Sequence, residues 1–108
     1  MDDILVLKLK EGEGLPADRL AQLADGHWKV NASRVLNVRY VIVLVHMKVL
    51  ADFELGDLIT LERQTGRITN LGLVDAHNKT GLVGKKLNYK TANPATIKNL
   101  DDLRARSI

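Results

Sequence analysis

Cysteine is absent from this 108-residue chain, and aromatic residues are scarce: one tryptophan, one phenylalanine and two tyrosines. Without thiols there is no disulfide framework, no thiolate zinc site and no cysteine nucleophile. So few rings argue against a platform that stacks successive bases of a single strand on several exposed aromatics. The three histidines, His27, His46 and His77, lack the paired spacing of metal ligands. Only the stretch Asp75-Ala76-His77 sets a carboxylate where it could orient an imidazole. The histidines read as surface or turn residues, and neither a metal nor a cofactor is expected. No apolar run approaches the roughly 20 residues of a membrane-spanning helix. The opening residues, MDDILVLKLK, start acidic and hold only a short apolar stretch, unlike a signal peptide. A cytoplasmic protein without a membrane partner is the expectation.

What is present is the ordinary balance of a folded soluble protein, 45% hydrophobic and 27% charged, in a length that suits one domain over residues 1–108 with its own core. The net charge is +3, and its layout says more than the sum. Residues 1–25 carry three basic and six acidic side chains, 26–51 four basic and none acidic, 52–63 one against four, and 64–98 six against one. Within 79–98 every charged residue is a lysine: Lys79, Lys85, Lys86, Lys90 and Lys98. Such a block is the electrostatic footprint of nucleic-acid contact, or else a solvated face that maintains solubility.

The strongest structural signal is VRYVIVLV, residues 38–45, a run of β-branched and aliphatic side chains with no polar face, which predicts a central strand covered on both sides. KVLADFEL, 48–55, alternates, so Val49, Ala51, Phe53 and Leu55 are expected inward and Lys48, Asp52 and Glu54 outward. The turn between them, at His46 and Met47, lacks the Asn-Gly of a tight two-residue loop, which predicts a longer loop or a bulge. DILVLKL, 3–9, reads as a first strand, and Pro16 with Ala17, Leu20, Leu23 and Ala24 as a short helix over 16–25. HWKVN reads as a brief extended segment and SRVLN as a single turn. LITLER and RITNLGL form a second hairpin across Gln64–Gly66, and KKLNY one more short strand. Residues 94–106 admit two readings, a helix opened by Asn93-Pro94 or a closing strand ATIKN with a helical tail from Leu100. No internal repeat, heptad or low-complexity tract occurs. The sum is an α+β, mainly β protein: a twisted, mostly antiparallel sheet or small open barrel of five to seven strands with one or two short helices.

The stretch GLVGKKLNYKTANPATI, 81–97, places two glycines before paired lysines and so invites a phosphate-loop reading. That motif requires a glycine five residues before the one preceding the lysine, and a Ser or Thr after the lysine. Lys79 and Lys86 stand at those positions. The glycines therefore serve backbone geometry.

Taken in order, GHWKVNASR, RYVIVLVHMKVLADFEL, GRITNLG and LVGKKLNYKTANPATI resemble a small domain found after the catalytic domain of some bacterial GIY-YIG nucleases. The resemblance spans roughly residues 4–98 and implies a layout similar to PUA-like barrels, the group that includes readers of RNA and modified DNA. It favours the strand reading of 95–99. Neither Gly-Ile-Tyr nor Tyr-Ile-Gly occurs in the chain, so nuclease activity is not implied.

No nucleophile–base pair is spaced for catalysis, and Asp52 with Glu54 reads as two outward charges of an alternating strand. Trp28 reads as a core anchor ahead of an exposed platform. The expected function is a non-enzymatic binding domain that contacts nucleic acid, DNA or RNA, through Lys79, Lys85, Lys86 and Lys90. Tyr89 is the candidate ring on that surface, and Arg34, Arg39 and Arg67 are the candidate additions. The alternative is a protein–protein interaction module or small phage or mobile-element regulatory factor, monomeric or homodimeric.

Overall fold

The structure is a computed structural model and describes residues 3–10, 12–24, 35, 37–56, 60–65, 68–89 and 95–107. The elements are β1 (Asp3–Lys8), α1 (Ala17–Ala24), β2 (Tyr40–Val45), β3 (Lys48–Glu54), β4 (Thr60–Leu61), β5 (Ile68–Asn70), β6 (Val74–Asp75), β7 (Ala95–Asn99) and α2 (Leu100–Ala105). The main sheet has the order β6-β3-β2-β1-β7, and β4 and β5 pair separately. It is open, not closed into a barrel. β2 lies at its centre because all six of its side chains are apolar or aromatic and all are buried, on both faces.

Three of the four pairings in this sheet are antiparallel, and β1 runs parallel to β2. A parallel pair needs a long crossover, and the chain between these strands carries α1. One face of the sheet presents Leu5, Leu7, Val41, Val43, Ala51 and Phe53, closed by Leu20 and Ala24 of α1 and by Ile68 and Leu71. The other presents Ile4, Val6, Tyr40, Ile42, Leu44 and Val49, closed by Ala76, Leu82, Leu87 and Tyr89 from the segment after β6 and by Leu103 of α2. Each fully buried Leu or Ile here contributes on the order of 2 kcal/mol by leaving water.

The β2–β3 turn is the tight two-residue loop that its sequence argues against. Val45 faces Lys48, and His46 and Met47 both take positive φ, 48° and 66°, the signature of a type I′ turn normally given to Asn-Gly. The longer loop or bulge expected at this turn is therefore corrected, and a bulge occurs instead within β3. Val43 faces Ala51 while Leu44 faces Val49, so Leu50 is the extra residue. A bulge of one residue changes which face each later side chain joins. Val49 thus shares a face with Asp52, and that face is covered. The outward placement of Asp52 is therefore corrected: it is buried at 1% exposure.

β4 and β5 form the second hairpin, Thr60 facing Asn70 and Leu61 facing Ile68, with a turn at 63–65; Gly66 lies outside the described residues. The return passes close to Gly56, whose N–H donates to the Leu71 carbonyl at 3.1 Å. A Cβ on Gly56 would stand 2.3 Å from the Gly72 oxygen, so only glycine fits. Of the two readings of 94–106, the strand with a helical tail is the one observed. Asn99 ends β7 and caps α2 by accepting the Asp101 N–H at 2.8 Å. Among the described residues, 86 and 87 make single bridges, Lys48 to Lys86 and Leu87 to Ser107, in place of the short strand expected over KKLNY. The HWKVN segment, Trp28 and most of SRVLN lie outside the described residues.

Candidate functional site

Segment 76–89 is organised around the carboxylate that β3 sends inward. Asp52 Oδ1 accepts the Asn78 N–H at 2.8 Å, and Oδ2 accepts the Thr80 N–H at 3.0 Å and the Thr80 hydroxyl at 2.8 Å. Its main-chain carbonyl accepts the Ala76 N–H at 3.2 Å. His77 and Asn78 take positive φ, 51° and 63°, and this left-handed pair curls the chain so that alternate N–H groups meet one carboxylate. Curled backbone of this kind makes an anion-binding concavity. Here the anion is the protein's own.

Each N–H from Ala76 to Lys85 donates to an internal acceptor: to Asp52, Asp75, Ala76, Asn78, Thr80, Leu82 or Val49. A phosphate cradle needs several free, convergent N–H groups. Gly81 and Gly84 take positive φ, 74° and 85°, and nothing lies within 4 Å of a Cβ built on either. Their positive φ serves the turn.

The lysines of 79–98 divide along β3. Lys79 Nζ lies 3.0 Å from Glu54 Oε1 at the far end of the strand. Arg39 precedes β2 at that same end, where its carbonyl accepts the Leu55 N–H and its guanidinium stands 5.3 Å from the Tyr40 ring. Lys85 and Lys86 lie at the near end, roughly 20 Å away at about 3.3 Å per residue. Here the Val49 N–H donates to the Lys85 carbonyl at 2.9 Å and Lys86 faces Lys48 across an antiparallel bridge. Lys48, Lys85 and Lys86 are exposed, and among the described residues none has an ion-pair partner. Lys98 is on β7, on the opposite side of the sheet order. Lys90, Arg34 and Arg67 lie outside the described residues.

Tyr89 is not an exposed ring. It is buried at 4%, its hydroxyl bonds the Thr96 hydroxyl, and the Arg106 guanidinium covers its ring at 5.4 Å. Arg106, which caps α2, also reaches Asp102 at 3.1 Å and the Asn88 carbonyl at 3.4 Å, and Arg104 of α2 reaches the Thr80 carbonyl at 3.4 Å, so these two arginines fasten the helix to segment 76–89. The expectation of a ring on the basic surface is thereby corrected; the period of two that puts Tyr89 on the side of buried Leu87 is the signal that finds its true place. Lys48, the residue that completes the near-end group, had no local signal, because its partner is distant in sequence.

His46 Nδ1 lies 2.9 Å from Glu13 Oε1, and His77 Nδ1 3.7 Å from Asp75 Oδ2, with both rings largely exposed. Asp75 chiefly holds its turn, accepting the His77 N–H at 2.8 Å. Among the described residues no three metal-ligating side chains gather, and no helix is long and apolar enough to cross a membrane. Two adjoining clefts of about 580 and 470 Å³ share Leu15 and Leu23, which are 40% and 48% exposed. No family model, curated protein or solved structure matches the chain.

Proposed function

We propose that the protein is a non-enzymatic nucleic-acid-binding domain whose phosphate contacts come from Lys48, Lys85 and Lys86. The observation that carries this reading is the opposition of Lys48 and Lys86, neither of which has an ion pair among the described residues. Like charges directly across a ladder are destabilising, and a polyanion at that position reverses the sign. The group contacts phosphate and not bases, so it binds DNA and RNA without sequence preference. This role is the one that the PUA-like resemblance implies, here on an open sheet. A cytoplasmic setting goes with it.

Fluorescence anisotropy with a short duplex DNA and with a structured RNA tests the reading. Three phosphate contacts give a log-log salt slope of about −2.7 on duplex DNA. Lys85→Ala with Lys86→Ala reduces its magnitude by about 1.8, whereas Lys79→Ala, at the other end of β3 and paired with Glu54, leaves it unchanged. Absence of binding to either nucleic acid at tens of micromolar removes the proposal. The exposed Leu15–Leu23 clefts then favour the second reading, a protein–protein interaction module of the kind that serves as a small phage or mobile-element regulatory factor.

A further inference from the structure

Two strands end the main sheet, and they differ as edges. β6 has two residues, Val74 and Asp75, and carries a carboxylate. β7 has five, ATIKN, in unbroken register with β1 and with no acid. Among the described residues no strand lies outside it. A straight edge of this kind presents backbone donors and acceptors ready to pair with another strand.

We propose that β7 pairs with β7 of a second copy of the chain, antiparallel about a twofold axis normal to the sheet, so that two sheets become one. Symmetry restricts the register. Under such an axis each side chain keeps its face, and residues opposite one another share a face, so one residue must face its own copy. Centring on Lys98 opposes two ammonium groups, an unfavourable pair. Centring on Thr96 runs the pairing into Pro94, which has no N–H to donate. Centring on Ile97 pairs all five residues: Ile97 with itself, Thr96 with Lys98, and Ala95 with Asn99. Ala95 and Ile97 are half-buried against the cluster that holds Leu5 and Leu7, and the Ile97 pair continues that cluster across the joint. Lys98 then faces a neutral hydroxyl. One strand pair is a small interface, so the dissociation constant is of the order of tens of micromolar.

Position 97 meets only itself in this register, which makes it testable by charge exchange. Sedimentation equilibrium from low micromolar to near-millimolar protein reads the association of the wild type. Ile97→Lys alone and Ile97→Glu alone each weaken it by at least about tenfold, and an equimolar mixture of the two restores it, with circular dichroism verifying that each variant is folded. Because the chain has no cysteine, Ile97→Cys supplies a second readout that needs no new charge: oxidation links two copies through one disulfide. A wild type that stays monomeric near millimolar overturns the proposal, as does a mixture that fails to associate. A dimer indifferent to both charge variants but lost with Leu23→Glu also overturns it, and assigns the interface to the Leu15–Leu23 clefts.

Discussion

At one end of β3 both of the strand's carboxylates are answered: Asp52 is enclosed by the Asn78 and Thr80 donors, and Glu54 holds Lys79. At the other end Lys48 faces Lys86, with Lys85 beside them; among the described residues none of the three has an ion pair, and the nearby Glu13 is held by His46. The same strand thus carries one terminus whose charges build the fold and one whose charges oppose it. An arrangement that satisfies itself explains itself by stability. One that does not is where the proposed nucleic acid would supply the opposite sign.

Removing the inward carboxylate has the largest expected effect on this contrast. Asp52→Ala leaves two backbone N–H groups and a hydroxyl without their acceptor in a covered site, and unsatisfied buried donors are each expensive. Denaturant unfolding is expected to show a loss of about 2–5 kcal/mol. Asp52→Asn keeps the shape but turns an amide toward donors, so it falls between wild type and Asp52→Ala. A loss below about 0.5 kcal/mol for Asp52→Ala means that the two ends of β3 are not different in kind.

The hairpin tip at the lysine end gives a smaller effect of opposite sign. Met47 holds φ 66° with a Cβ that disfavours the left-handed region by about 1–2 kcal/mol. Met47→Gly relieves this and gives back part of it as unfolded-state entropy, for a net gain of about 0.5–1 kcal/mol. A melting temperature that falls in this variant shows that the Met47 side chain supplies more by packing than the turn loses by strain. The smallest effect belongs to Lys79. Its pair with Glu54 is exposed to solvent, and such pairs contribute about 0–1 kcal/mol, reduced further by salt. Lys79→Ala is expected to change neither the unfolding midpoint nor the binding slope appreciably; a clear loss of binding brings the far end into the interface.

What the sequence made legible follows from how far apart the deciding residues lie. VRYVIVLV could be read as the central strand because its signal is a local run with no polar face. The closing strand and helix at 95–105 were readable as one of two alternatives, and the Asn99 cap with Asp101 and Asp102 in the first turn marks where one gives way to the other. The parallel pairing of β1 with β2 was not readable, since no local pattern tells which way a neighbour runs. Asp52 was misplaced for a related reason. The alternation of KVLADFEL is real, and Ala51 and Phe53 are buried as it implies, but the bulge at Leu50 exists only in the pairing with β2 and puts Asp52 on the covered face that Val49 shares. The same holds for the candidate site. Lysine clustering in sequence grouped Lys79 with Lys85 and Lys86, whereas β3 sets them at opposite ends and brings in Lys48 instead.

One substitution tests most directly the claim that the near-end lysines are held against stability for the sake of an anion. Lys48→Glu places a carboxylate opposite Lys86, and an opposite-charge pair across a ladder contributes about 0.2–1 kcal/mol where the like pair took away. The variant is expected to melt at a higher temperature than wild type while its affinity for duplex DNA at low salt falls by at least about tenfold and its salt slope flattens by about 0.9 or more. Higher stability with undiminished DNA binding contradicts the account.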